Sequence, residues 1–199
     1  MSIIRAFIAV NISPEILSRI KDVADEMQQS IEGVPVRWVP IENIHLTLKF
    51  LGDVSISNLE YLKKILSLAG KTHRACEISV GGLGAYPNSH RPRVLWIGMK
   101  APQALMLLQH TLEVETEKLG YDREGRPFSP HLTIGRVSRN ATGRDIHRLA
   151  TLLEELKVGF LGVAIAGQVH LYQSDLGSKG AKYSCLFTVP LLAAPANNY

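Results

Sequence analysis

Two short stretches of the chain carry the same alternation of polar and apolar residues. The tetrad His45-Leu46-Thr47-Leu48 returns 86 positions later as His131-Leu132-Thr133-Ile134. Because successive side chains of a β-strand point to opposite faces, each histidine shares a face with its threonine and the aliphatic residues take the other face. The aliphatic face is expected in a core, so the sequence predicts one cleft that receives two imidazoles and two hydroxyls.

A pair of imidazoles can supply a general acid and a general base together. An unperturbed histidine has a pKa of about 6.5, so near neutral pH one ring can be neutral while the other is protonated. At a phosphorus centre, one ring takes a proton from water and the other protonates the leaving oxygen on the opposite side. The hydroxyls of Thr47 and Thr133 can hydrogen-bond to the non-bridging phosphate oxygens. This chemistry requires no metal ion.

The residues that follow the tetrads supply two candidates for substrate binding. Arg136 lies three residues past Thr133, and a guanidinium binds phosphate through charge-assisted, often bidentate hydrogen bonds. Phe50 lies in the comparable stretch of the first half and could stack on a nucleobase. Either Phe50 or Leu51 must turn inward after the alternating strand, so a core position for Phe50 is the alternative.

Other sequence features exclude several kinds of site. The chain has no HExxH motif, no cluster of aspartates and no glycine-rich phosphate loop, and these are the usual marks of zinc, two-metal and nucleotide-triphosphate sites. Neither a metal ion nor any other cofactor is expected. A purely structural explanation of the tetrads also stays open, because a duplicated fold could keep both of them for packing alone.

The remaining aromatic and charged residues are assigned ordinary roles. Trp38, Trp96 and Tyr86 are expected in the core, and His170 is the one further histidine that could reach the cleft. A scattered basic set could form a rim for a polynucleotide or could simply be solvated. Its members are Arg91, Arg93, Arg123 and Arg126.

Composition places the chain among compact globular proteins. It has 199 residues, 46% of them hydrophobic, and a formal charge of +4 that mildly favours anionic ligands. Cys76 and Cys185 lie far apart without metal-ligand spacing, which fits a reducing compartment. The apolar segment 1–10 contains Arg5 and is too short for a signal peptide or a membrane span. We therefore expect a cytoplasmic monomer that does not contact a membrane.

The duplication extends over most of the chain and predicts the order β-α-β-α-β twice. Helical spacing predicts four helices, at 13–33, 58–69, 101–120 and 145–157. Alternating or apolar runs predict strands around the tetrads and at 5–10, 76–86, 93–99, 163–172 and 182–190. Gly70 and Gly159 are expected to end the second and fourth helices. The sequence thus predicts an α+β, bilobal, pseudo-two-fold protein in a single domain over 1–199, with repeats at roughly 1–90 and 91–190 and a flexible tail at 193–199.

Five stretches together resemble one known family, the two-histidine (2H) phosphoesterases. Within it they are most similar to the bacterial and archaeal RNA 2′,3′-cyclic phosphodiesterases, historically called 2′-5′ RNA ligases. The stretches are RAFIAV at 5–10, NIHLTLKFLG at 43–52, PRVLWIG at 92–98, RPFSPHLTIGR at 126–136 and LYQS at 171–174. The resemblance covers nearly the whole chain and implies antiparallel sheets that line a central cleft, with helices on the outside.

The resemblance also implies an activity and a set of roles. The implied reaction is metal-independent hydrolysis of an RNA 2′,3′-cyclic phosphate end to a 2′-phosphomonoester, with reversible 2′-5′ joining of tRNA halves as a related reaction. It assigns water activation to His131, protonation of the departing 3′ oxygen to His45, and phosphate binding to Thr47, Thr133 and Arg136. The alternatives are a phosphodiesterase for small cyclic phosphates, such as ADP-ribose cyclic phosphate, and a nucleotide-binding module without catalysis.

Overall fold

The computed structural model describes residues 2–177 and 180–194. Within these ranges there are four α-helices and nine strands. The helices are α1 Pro14–Ser30, α2 Leu59–Thr72, α3 Gln103–Glu117 and α4 Gly143–Glu155. The strands are β1 Ile3–Asn11, β2 Val36–Trp38, β3 His45–Ser55, β4 Cys76–Tyr86, β5 Val94–Lys100, β6 His131–Val137, β7 Phe160–Ala166, β8 Gln168–Gly177 and β9 Gly180–Pro190.

The strands form one antiparallel sheet with the tetrad strands in the middle. The order is β7-β4-β5-β6-β3-β1-β8-β9, and β2 pairs with β6 outside this path. Strands are exchanged between the halves, since β4 of the first half pairs with β5 of the second, and β8 of the second half pairs with β1 of the first. Each lobe is therefore built from both halves of the sequence, and the pseudo-two-fold relation passes between β3 and β6. The α+β fold class with antiparallel pairing is confirmed.

The helices cover one face of the sheet with their apolar stripes. Residues at helical spacing are buried along each of them: Ile16, Ile20 and Met27 in α1, Leu62, Leu66 and Ala69 in α2, Leu105, Leu108 and Leu112 in α3, and Leu149 in α4. Burial of such stripes is the main stabilising contribution to these helices. At α4, Thr142 and Asp145 form a capping box that satisfies two backbone N–H groups.

Three sequence-based expectations about element ends are wrong. Gly159 does not end α4, which already ends at Glu155 with Leu156 as its C-cap. The strand expected over 163–172 is divided at Gly167 into β7, which is one edge of the sheet, and β8, which lies next to the other edge strand β9. Gly70 does not end α2, which continues to Thr72. A Cβ atom at Gly70 would overlap the side chain of Val189, so this glycine allows the helix to approach β9 closely rather than stopping it.

Some expectations concern residues that the structure does not describe. Of the tail expected at 193–199, residues 195–199 lie outside the described ranges, as do residues 178 and 179 of the β8–β9 connection. Over the described ranges, no helix combines the length and the apolar character needed to cross a membrane.

Candidate active site

The two tetrads meet at the centre of the sheet. Leu46 of β3 pairs with Leu132 of β6 in the antiparallel direction. Their flanking residues consequently lie crosswise, with His45 on the side of Thr133 and Thr47 on the side of His131. The four polar side chains therefore surround the junction of the two strands, as the repeated motif predicts.

The aliphatic members of the tetrads occupy the core, as the alternation predicts. Leu46, Leu48, Leu132 and Ile134 are at most 2% exposed, whereas both histidines and both threonines are half-buried. The helices lie on the aliphatic side, so the opposite face is left open as a cleft. Burial of the aliphatic side holds the polar side toward this cleft, since a one-residue slip would exchange the two faces.

A bulge at the same place in both strands continues the cleft face. Ile8 pairs with Lys49 and Ala9 with Thr47, so Leu48 is the extra residue of β3. Ile134 is the extra residue of β6 in the same way. An extra residue turns the following side chains to the other face of the sheet.

The bulges decide the positions of the two substrate-binding candidates. Phe50 is 67% exposed while Leu51 is buried, so the core alternative for Phe50 is wrong. Arg136 is likewise exposed and follows the bulge of β6. Both side chains therefore share the face of the catalytic candidates.

Backbone carbonyl groups orient both imidazoles in the same way. His45 Nδ1 lies 2.8 Å from the carbonyl oxygen of Asn43, and His131 Nδ1 lies 2.8 Å from that of Ser129. A carbonyl oxygen can only accept, so Nδ1 carries the proton in both rings. Each neutral ring then has Nε2 as its free acceptor, the arrangement that a general base requires.

Aromatic rings enclose His45. The ring of Phe7 stacks on it at a centroid distance of 4.7 Å, and the ring of Tyr183 meets it edge-on at 5.3 Å. Loss of solvation in this setting lowers the pKa of His45 to about 4, although the hydrogen bond to Asn43 acts in the opposite direction. His45 is therefore neutral at neutral pH.

His131 also lies among aromatic residues, which corrects an expectation from the sequence. The Tyr86 ring meets it edge-on at 5.0 Å, and the Trp96 centroid is 6.4 Å away. Tyr86 and Trp96 are thus neighbours of the site rather than core residues only. The Tyr86 hydroxyl donates a hydrogen bond of 2.9 Å to Ser129, the residue whose carbonyl orients His131.

Tyr172 is the counterpart of Tyr86 in the other lobe. Its hydroxyl donates to Asn11 Oδ1 at 2.9 Å, and its ring stacks on Phe7 at 5.4 Å. Burial raises the pKa of this phenol, so it remains a neutral hydrogen-bond donor. Phe7, Tyr172 and Tyr183 escaped prediction because they reach the cleft from three strands that only the pairing order brings together.

A buried ion pair lies on the helix-covered side of the sheet, next to the first tetrad. Lys49, 3% exposed, donates to Glu113 Oε2 at 2.6 Å and also to the carbonyl oxygen of Asp122. Glu113 accepts further hydrogen bonds from Gln109 Nε2 at 3.1 Å and from the backbone N–H of Glu124 at 3.3 Å. The network joins the first tetrad strand to α3 and to the loop that leads into the second tetrad.

His170 lies two strands away from Thr47, because Ala9 of β1 pairs with Thr47 on one side and with His170 on the other. It is 7% exposed, and its Nδ1 lies 2.9 Å from the Thr188 hydroxyl. Its ring lies 5.7 Å from that of Tyr172. His170 therefore belongs to the packing between β8 and β9. No group of three metal-ligating side chains occurs in residues 2–177 and 180–194.

Sequence comparison places this site in a known family. An RNA 2′,3′-cyclic phosphodiesterase of Methanothermobacter thermautotrophicus is 33% identical to this chain. The match covers 91% of this chain and 95% of the relative. The model of the LigT-like phosphoesterase family matches residues 10–96, which include the first tetrad. The chain belongs to this family. An enzyme of the same name from Archaeoglobus fulgidus is 34% identical over 92% of this chain and 97% of its own.

Solved structures agree on the fold of this LigT-like phosphoesterase. The crystal structure of Escherichia coli LigT complexed with 3′-AMP matches with a TM-score of 0.75 at 24% identity. The match covers 96% of this chain and 99% of the other. At this level of identity, the likeness concerns the fold.

Proposed function

We propose that this LigT-like phosphoesterase hydrolyses RNA ends that carry a 2′,3′-cyclic phosphate, and that it releases a 2′-phosphomonoester. The observation that carries the proposal is the pair of imidazoles at the junction of β3 and β6, each with Nδ1 on a backbone carbonyl and each beside a threonine hydroxyl of the other strand. One ring on each side of a phosphorus atom suits in-line displacement.

In the proposed reaction, the oxygen of a water molecule attacks phosphorus while the bond from phosphorus to the 3′ oxygen breaks. His131 takes the proton of the water, and His45 gives its proton to the departing 3′ oxygen. Thr47, Thr133 and Arg136 bind the non-bridging oxygens and stabilise the charge that develops on them. Phe50 offers a face on which the terminal base stacks.

His45 can act as the acid only if it is protonated in the complex. Burial holds the pKa of His45 at about 4, so the ring must take up a proton from solvent when the substrate binds. A phosphate beside the ring replaces the lost solvation with a negative charge, which raises the pKa of the imidazole. The same anion stabilises the protonated ring that will donate to the 3′ oxygen.

A related transfer, with a ribose hydroxyl as the nucleophile, extends the proposal. If a ribose 5′ hydroxyl replaces water, the same groups join two RNA ends through a 2′-5′ linkage. We propose tRNA halves as the substrates of this joining reaction.

We further propose that the protein is a monomer and acts in the cytoplasm. Its two unpaired cysteines suit the reducing environment of that compartment.

The proposal is tested with a short RNA that ends in a 2′,3′-cyclic phosphate and with chelator-treated protein. We expect a 2′-phosphate product, and we expect His45→Ala and His131→Ala to lower kcat by about 10²- to 10⁴-fold. His110→Ala is the matched control, because His110 is an exposed residue of α3. Full activity of both tetrad variants would show that the two-histidine mechanism is wrong. Tight binding of the product without turnover would instead favour the binding module.

A further inference from the structure

A basic concavity continues the cleft beyond Arg136. It is a cavity of about 940 Å³ that is lined by Arg37, Arg93, Arg136 and Arg139, together with Val94 and Ser138. These residues come from β2, from β5 with the residue before it, and from β6 with the two residues after it. We call this cavity the arginine pocket.

Strand register places the arginine pocket on the same face as the tetrads. Arg136 pairs with Arg37 on one side and with Val94 on the other, so all three share a face. That face is the cleft face, because Arg136 follows the bulge of β6 and Thr133 precedes it. Arg136 follows Thr133 by three residue steps along β6, which corresponds to about 10 Å between their Cα atoms.

The charge of the arginine pocket is uncompensated. All four arginines are exposed, and over residues 2–177 and 180–194 none of them pairs with a carboxylate. The contrast is with Arg123, whose guanidinium lies 2.7 Å from the Glu117 carboxylate. Arg93 donates to the carbonyl oxygen of Ser138 at 3.5 Å, which leaves its charge unneutralised. Four guanidinium groups without a carboxylate partner around a concavity raise the local concentration of anions and form charge-assisted bonds to phosphate.

We infer that the arginine pocket binds the phosphodiester backbone of the RNA chain that leads to the cyclic end. The tetrads already provide for one phosphate, so a second anion site on the same face fits a polyanion rather than a free cyclic nucleotide. The other lobe carries Phe50 at the position equivalent to Arg136. Because an aromatic ring suits a base and a cation suits a phosphate, the terminal base belongs to the lobe of Phe50 and the RNA backbone belongs to the arginine pocket. This inference rests on the proposed function and specifies its substrate as an oligonucleotide.

The test compares two substrates with the same end, adenosine 2′,3′-cyclic phosphate alone and a short RNA that terminates in it. In the wild type we expect kcat/KM to be about tenfold or more higher for the RNA, because hydrogen bonds to charged groups contribute on this scale. In the double variant Arg37→Gln/Arg139→Gln, we expect most of this advantage to be lost while turnover of the mononucleotide stays within about twofold. The slope of log(kcat/KM) for the RNA against log[salt] should fall by about 0.7 for each phosphate contact removed.

The matched control is Lys64→Gln/Lys71→Gln, which removes two positive charges from exposed positions of α2 on the helical face. This variant should keep the preference for RNA. An unchanged preference and salt slope in the arginine variant, or an equal loss on both substrates, would overturn the inference. If the wild type turned over neither substrate, the proposed function would fail. Fluorescence anisotropy of a labelled RNA with a 2′-phosphate end would then test the pocket separately, and equal affinities of wild type and arginine variant would overturn it.

Discussion

Phe50 and Arg136 occupy matching positions in the two halves of the molecule. Phe50 pairs with Phe7 and Arg136 pairs with Val94, each just after the bulge of its tetrad strand. The pseudo-two-fold relation therefore places an aromatic ring and a cation at equivalent edges of one cleft. Two lobes that share a backbone design thus present different chemistry to the substrate, and a nucleotide has one preferred orientation between them.

Substitutions of these two residues should have different signatures. Phe50→Ala should weaken binding of a base-bearing substrate by roughly 5- to 150-fold, because stacking contributes about 1–3 kcal/mol per base. Its free energy of unfolding should change by less than about 0.5 kcal/mol, since the ring is 67% exposed. Arg136→Gln should lower kcat/KM on every substrate, including a cyclic phosphate without a base, and Arg136→Lys should recover part of it. Equal losses from Phe50→Ala on substrates with and without a base would contradict stacking.

Acid should destabilise the protein through His45. Its pKa falls from about 6.5 in the unfolded chain to about 4 in the folded protein, so the unfolded state binds the extra proton. The full stability is present above about pH 6.5 and is lost as the pH falls toward 4, by about 3 kcal/mol in total. Urea unfolding at pH 7 and pH 4 should show this loss in the wild type and a smaller loss in His45→Gln. An NMR titration of His45 with a midpoint near 6.5 would refute the prediction.

A substrate with sulphur in place of the bridging 3′ oxygen should separate the acid from the base. A thiolate leaves without protonation, so the general acid becomes dispensable while the base remains necessary. We therefore expect His45→Ala to recover most of its turnover on the 3′-thio cyclic phosphate and His131→Ala to recover little. The measurement is kcat for both variants on the oxygen and sulphur substrates. Recovery in His131→Ala alone would reverse the two roles.

The buried pair of Lys49 and Glu113 should make a large contribution to folding. Lys49→Met leaves the Glu113 carboxylate buried without its cation, which should lower the free energy of unfolding by about 3–5 kcal/mol. Lys49→Met/Glu113→Gln should be more stable than the single variant, because no charge is left behind. Additive losses in the double variant would contradict this coupling.

An exposed pair provides the control for this prediction. Lys118 lies 2.6 Å from Glu115 and keeps 62% of its side chain exposed. Lys118→Met should therefore change stability by less than about 1 kcal/mol, measured by the same urea titrations. Glu113 also accepts a hydrogen bond from the backbone N–H of Glu124, in the loop before the second tetrad. We therefore expect Lys49→Met to lower kcat and Lys118→Met to leave it unchanged.

The sequence by itself determined which residues of the tetrads face the cleft and which face the core. That prediction succeeded because the two-residue period of a strand is a local property, and burial of Leu46 and Leu132 then fixes the opposite faces of the histidines. The positions of the four helices were predicted in the same way, because the helical spacing of apolar residues is also a local property. The exception at Gly70 arose because its role depends on contact with Val189, which local spacing does not contain.

Only the tertiary structure decided what surrounds the tetrads. Phe7 and Tyr183 enclose His45 because β1 and β9 join the same lobe, and the resulting loss of solvation lowers the pKa of the ring. The arginine pocket likewise gathers Arg37 and Arg93 from segments far apart in the chain. Strand pairing across such distances depends on the packing of the whole sheet, whereas sequence patterns report only neighbours along the chain.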